Sequence, residues 1–248
     1  MSAKVDARAG DRDAGGGRSH APNVSVIVPT LDEARLIDAR LDELRALGPH
    51  EVIVVDGGSA DATVDRVAKH PLRPRSIVAP RGRARQMNAG ASLATGDVLL
   101  FLHADVALPR DALAHIARAL ADPRVVAGAF RTWTLPDRPT PLGPLLHLAD
   151  VRSRVSGLPY GDQAMFVRAE VFHALGGFPD IPLMEDLALS RALCAVGRIR
   201  TVPARVTVSG RRFMARPLFY TAMVNVFPAL YRLGVPPALL ARVYRAVR

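Results

Sequence analysis

Through its first half the chain alternates two kinds of block. One is a short, mostly aliphatic run, and the other a longer stretch with apolar residues three and four positions apart. The first kind reads as strands buried on both faces, the second as helices with one face on a sheet. Asn23 to Val28 (NVSVIV) is the first run, stopping at Pro29, and Thr30, Asp32 and Glu33 then open a helix with Leu36, Ile37, Leu41, Leu44 and Leu47 on one face. Gly48 and Pro49 end it. Glu51 to Val55 is the next strand; it delivers Asp56 to a Gly57-Gly58-Ser59 turn, and another helix runs towards His70, which predicts a parallel, right-handed βαβ unit. Ser76 to Ala79 predicts a third strand and Arg81 to Ala94 a third helix. VLLFL, Val98 to Leu102, is a fourth strand that runs straight into His103 and Asp105. Pro109 to Ala121 reads as helix and Val125 to Trp133 as strand, so this half is an alternating α/β structure.

Beyond Pro136 prolines and glycines blur the pattern. A short helix is expected around Leu145 to Val155, a strand over Tyr160 to Val167, and a short helix over Ala169 to Leu175 that Gly176-Gly177 ends. A further helix begins at Glu185-Asp186 and carries Leu187, Leu189, Leu193 and Val196, followed by a strand near Val206 to Val208. The last segment, Pro217 to Arg248, interleaves apolar and aromatic residues with arginines. Its uncharged part, Pro217 to Tyr231, falls short of the roughly 20 residues that span a bilayer and contains Asn225 and Pro228. It reads as a basic amphipathic helix pair that either packs on the domain or on a second subunit, or lies peripherally in a membrane interface.

Length and charge narrow the picture. With 248 residues the chain can hold one large α/β domain with an appendage. The division expected is a disordered tail over residues 1–22, a catalytic-type α/β domain over 23–213, and the helical segment over 214–248. Cys194 is the only cysteine, which excludes an internal disulfide and a cysteine-based metal cluster and fits a reducing cytoplasm. The first residues mix acids, bases and glycines with no apolar core of a signal peptide. The net charge is +10, and after Asp186 there is no acidic residue, while arginines recur to the end of the chain. Such a segment points either to an anionic partner, whether a diphosphate, a lipid surface or nucleic acid, or to no more than a generically basic surface. The nucleic-acid reading rests on charge alone, since the aromatics among these arginines fall at helical spacing, and none is expected as a partner.

The carboxylates stand where an α/β sheet keeps its ligands. Asp56 follows the second strand and Asp105 the fourth, so both lie on the rim at the strands' carboxyl ends. Asp105 could also simply cap the helix after Pro109, and Glu185-Asp186 could be the ordinary acidic first turn of a helix. Arg81, Arg83 and Arg85, with Gln86 and Asn88, offer donors for phosphate or ribose.

The segments PTLDEARLI, VVDGGSADAT, RGRARQMNAGA, ATGDVLLFLHAD, YGDQAMFV and PLMEDLALSRAL, in this order over about Val24 to Phe213, resemble the family 2 glycosyltransferases of the GT-A fold. More narrowly, they resemble a small bacterial branch labelled arsenosugar-biosynthesis glycosyltransferase. The resemblance implies a mostly parallel, Rossmann-like α/β sheet with helices on both faces. It also implies a donor sugar carried on a nucleoside diphosphate, a hydroxyl acceptor, and a divalent cation, Mg2+ or Mn2+. Residue by residue, Pro29, Thr30, Asp32 and Glu33 match the first nucleotide-binding loop, Asp56 the carboxylate that reads the base, and Arg83, with Arg85 beside it, a basic position near ribose or phosphate. Asp105 matches the last Asp of a DxD metal motif, with His103 in place of the first. Asp186 matches the general base and Glu185 its neighbour. Gly161, Asp162 and Gln163 match the loop on the acceptor side, where Arg211 could assist at the diphosphate.

Two departures matter. His103 leaves one certain carboxylate for a metal, and the QxxRW signature of processive enzymes is absent, with Gly210-Arg211-Arg212-Phe213 roughly in its place. One sugar per turnover is therefore expected, with inversion by a single displacement. A sugar nucleotidyltransferase is a competing reading, but it would want a glycine-rich loop after the first strand, where this chain has PTLDEAR. A non-catalytic nucleotide-sugar binder at a membrane is another; His103 favours it, and Asp105 with Asp186 speaks against it.

Overall fold

The computed structural model describes residues 21–136, 150, 153, 157–211 and 217–247. Most of the expected 1–22 tail therefore lies outside the described residues. So does the helix expected near Leu145 to Val155, apart from Asp150 and Ser153, which are helical.

The described strands are β1 (Val24–Thr30), β2 (Glu51–Asp56), β3 (Arg75–Val78), β4 (Val98–Phe101), β5 (Val106–Ala107), β6 (Val125–Leu135), β7 (Phe166–Arg168) and β8 (Arg198–Ser209). The helices are α1 (Ile37–Leu47), α2 (Thr63–Lys69), α3 (Arg83–Ala91), α4 (Ala112–Leu120), α5 (Ala169–Ala174), α6 (Glu185–Val196), α7 (Pro217–Arg232) and α8 (Pro237–Val247). The strands form one sheet in the order β3-β2-β1-β4-β7-β6-β8-β5. From β3 to β4 every pairing is parallel. At β7 the direction reverses, since it runs antiparallel to both β4 and β6. The sheet is thus a Rossmann-like parallel half joined to a mixed half.

Alternation along β1 builds two cores. Val24, Val26 and Val28 face α1, α2 and α4 through Ile37, Leu41, Leu44, Val67 and Ile116. Ile27 faces the other way, with Val55, Met87, Leu99, Phe101, Phe172 and Leu193 under α3, α5 and α6. Gly90 lets α3 lie flat on the sheet, because a Cβ there would meet Ile27 at 2.5 Å. Pro29 continues β1 although it has no N–H to give. β4 has ended at that level: its pairing with β1 stops at Ile27 and Phe101, with Leu102 N–H donating to Ile27 C=O, so no β4 residue stands opposite Pro29.

Two segments differ from the sequence pattern. The strand expected over Tyr160 to Val167 is a single 3₁₀ turn, Gly161–Gln163, followed by the short β7. Side chains take the backbone donors that a strand would give its neighbour: Gly161 N–H donates to Asp186 Oδ2 (2.7 Å) and Tyr160 N–H to Gln163 Oε1 (2.9 Å). Conversely, β8 spans twelve residues where only Val206 to Val208 were expected. Its first half is polar, and pairing with β6 holds it; Ala129 pairs with Thr201 and Arg131 with Arg205, leaving Pro203 inside a bulge.

Candidate active site

Three loops at the carboxyl ends of β1, β2 and β4 build one rim of the sheet. Asp56 is buried and organises its own turn, accepting from Gly58 N–H and Ser59 N–H (both 2.8 Å), Ser59 Oγ (2.5 Å) and Thr30 Oγ1 (3.2 Å). The β1 loop is stitched to the same turn. Asp32 adopts φ 55°, a left-handed conformation that Asp tolerates; its N–H donates to Ser59 Oγ, and its Oδ1 accepts from Ala60 N–H. Glu33 N–H donates to Thr63 Oγ1, and the Glu33 carboxylate pairs with Arg211 at 2.6 Å. Thus Pro29, Thr30, Asp32, Glu33, Asp56 and Arg211 belong to one connected rim.

Asp105 sits half-buried just past β4, where Ser209 N–H, at the end of β8, donates to its backbone carbonyl. Arg211 is two residues further along. Behind Asp105 lies Arg40, a residue the sequence pattern did not single out. It is buried on α1, donates from Nε to Ala104 C=O (3.4 Å) and pairs with Glu43. Burial pulls its guanidinium below the usual arginine range, while Glu43 and then Asp105 push it back up.

The second half of the site centres on Asp186. Its Oδ2 accepts from Gly161 N–H and its Oδ1 from Leu187 N–H, both at 2.7 Å. A Cβ built on Gly161 would stand 3.0 Å from His103 Nε2 and 3.3 Å from Asp186 Oδ2. His103 and Asp186, 83 positions apart, therefore flank the same point of backbone. Asp162 is half-buried in the same turn. Beside them Glu185, buried, pairs with Arg83 Nε at 2.7 Å. Burial pushes the Glu185 carboxyl above the ordinary glutamate range against the opposing pull of Arg83, and Glu185, followed by Asp186, holds the Arg83 guanidinium above its ordinary range.

Two residues expected at the site point elsewhere. Gln163 turns inward: its Oε1 accepts from Ser153 Oγ and Tyr160 N–H, and its Nε2 donates to Phe130 C=O. Arg85 lies on an exposed flank, its Nε donating to both oxygens of Asp180. Gln86 and Asn88 are also engaged within the protein. Gln86 Nε2 donates to Thr30 C=O and Val55 C=O, and Asn88 exchanges two hydrogen bonds with the Phe178 backbone. Arg83, Arg85 and Asn88 of α3 thus tie down the segment 178–185 that leads to Asp186.

Among the described residues no three His, Cys, Asp or Glu side chains come together as a metal cage. Asp105 with His103 supplies one carboxylate and one imidazole near the rim. That set fits a divalent cation that takes its remaining ligands from a diphosphate and water.

Residues 25–175 match the family model described as "Glycosyl transferase family 2". A "PGL/p-HBAD biosynthesis glycosyltransferase" of Mycobacterium bovis is 39% identical over 110 residues, which cover 41% of this chain and 43% of that protein. The matched part therefore spans less than half the length of this curated relative. Among solved structures, a mannosyltransferase from Pyrobaculum calidifontis in complex with GDP-Man and Mn2+ is similar at a TM-score of 0.60 and 28% identity, covering 76% of this chain and 57% of its own. TarS of S. aureus (residues 1–349) shares the fold at a TM-score of 0.61 and 20% identity, over 82% and 66% of the two chains.

Proposed function

The chain belongs to glycosyl transferase family 2, and we propose that it moves one sugar from a nucleoside-diphosphate donor to an acceptor hydroxyl, with inversion at the anomeric carbon. The observation that carries this reading is the meeting of His103, Gly161 and Asp186 at one point, next to the rim that Asp56 and Asp105 complete.

The chemistry asks for a base on one side of the anomeric carbon and charge stabilisation on the other. Two backbone N–H groups fix the Asp186 carboxylate, one on each oxygen, which leaves lone pairs on both for an acceptor hydroxyl. Asp186 takes the hydroxyl proton as that oxygen bonds to the anomeric carbon, and the bond to the donor diphosphate breaks with its electron pair on the phosphate. Glu185, held by Arg83, fixes the first turn of α6 and so the direction of Asp186. On the leaving side Asp105, with His103 beside it, would hold a divalent cation, which when bound neutralises charge on the diphosphate. Arg211, anchored by Glu33, adds a fixed positive charge at the same rim. The mannosyltransferase neighbour, carrying GDP-Man and Mn2+, supports a donor and cation of these classes. The absence of QxxRW supports one sugar per turnover.

The test is a melting-temperature titration with UDP, GDP, dTDP and CMP, each with Mn2+, with Mg2+ and with chelator. A nucleotide at 100 times its dissociation constant adds about 2.7 kcal/mol of stability. One nucleoside diphosphate should raise the melting temperature, and chelator or Asp105→Ala should remove the shift. Asp186→Asn should keep the shift and lose transfer by about 10²–10⁴-fold. No shift with any nucleotide, or full transfer by Asp186→Asn, would overturn the assignment.

A further inference from the structure

The C-terminal hairpin shows solvent a helix face of the wrong composition for water. Ala222, Val226, Ala229 and Leu233 are exposed and recur at three- and four-residue spacing, so they form one stripe along α7 and its end. Leu239 and Val243, four apart on α8, are exposed as well. Leu233, at the tip, is 82% exposed. Between residues 219 and 244 no exposed position is acidic or an uncharged polar side chain; besides small and apolar residues, only Arg232 and Arg242 stand there. The stripe is not core turned outward, because the inner face is already filled. Phe227, Leu240 and Ala241 close on Leu183, with Met223 and Tyr244 against them.

We propose that this outer face docks the protein on the surface of an anionic lipid bilayer. Its apolar residues are interleaved with arginines, and the chain has no acidic residue after Asp186 that would repel such a surface. A bilayer interface takes both parts at once, the aliphatic side chains entering the acyl boundary while the guanidinium groups reach the headgroup phosphates. A second copy fits less well, since a pairing of two such faces places the arginines of both copies in one interface with no exposed acidic residue of the face to offset them. The hairpin lies on the bilayer and does not cross it, as none of the described helices is long and apolar enough to span one.

Co-sedimentation of the full chain with vesicles, without nucleotide, tests this. The protein should bind vesicles of phosphatidylcholine mixed with phosphatidylglycerol, bind phosphatidylcholine alone far more weakly, and release as salt rises. Val226→Asp combined with Leu233→Asp should weaken binding more than about tenfold. Arg232→Ser and Arg242→Ser should each weaken it about fivefold. All four positions are exposed, so melting temperatures should match the parent; Leu239→Ser with Val243→Ser serves as a second apolar pair should the first melt early. Absence of binding to anionic vesicles, or equal binding by parent and variants, would overturn the proposal. So would a concentration-dependent dimer that Leu233→Asp dissolves, which would give the face to a second copy. Vesicle binding is read without donor, so its failure leaves the nucleotide titration standing, and the reverse also holds.

Discussion

At Gly161 the backbone does two things that any other residue would compromise. Its N–H fixes Asp186, and its missing side chain leaves the space between Asp186 and His103 open. Gly161→Ala would put a methyl group 3.0 Å from His103 Nε2, and one of the three groups must give. We expect kcat to fall about 10–100-fold, while urea denaturation shows a loss of no more than about 1–2 kcal/mol. An unchanged kcat would mean that the turn does not set the base. Asp56, Asp105 and Asp186 were legible at this scale because a carboxylate straight after an apolar run, or opening a helix, stands out against its neighbours. Arg40 was not. It lies on the buried side of α1 next to Leu41, and only the folded chain puts its charge behind Asp105.

Helix α3 clamps the loop before α6. Its three ties differ in worth. Asn88 exchanges two hydrogen bonds with the partly buried backbone of Phe178, and Asn88→Ala, which leaves those groups unsatisfied, should cost about 1–3 kcal/mol in denaturant unfolding. Arg85→Ala removes only an exposed, solvent-screened pair and should leave the unfolding midpoint close to the parent's. If the two variants unfold alike, the clamp does not hold the loop. A second junction joins β1, β2 and the turn before β4 through Glu51, which accepts from Ser25 Oγ, Thr95 N–H and Thr95 Oγ1. Burial pushes its carboxyl up, but these hydrogen bonds outweigh that and hold it below the usual glutamate range. The stability it adds is therefore complete above an unfolded glutamate's value of about 4.3 and is lost as pH falls through the lowered value. Melting temperatures of Glu51→Gln should fall less steeply with acid than those of the parent.

Over the whole molecule, the parallel half was readable because β1, β2 and β4 are largely aliphatic, buried runs bounded by turn residues, while β3 is a short, mostly exposed edge. The mixed half was not. β7 is only three residues long, β8 opens with arginines and threonine, and both exist because β6 and β4 offer them edges. The same limit applies to the pairing of Arg83 with Glu185, which joins motifs 102 positions apart across the reversal of the sheet. That pair also bridges the start of α3 and the first turn of α6, which carries Asp186. On the function proposed above, a diphosphate that drew Arg83 towards itself would take it from Glu185, the neighbour of Asp186. A group settling against Asp186 must then change the donor's affinity by the same factor that the donor changes its own. Any coupling carried by this pair acts equally in both directions, so by itself it sets no order in which the two sides fill.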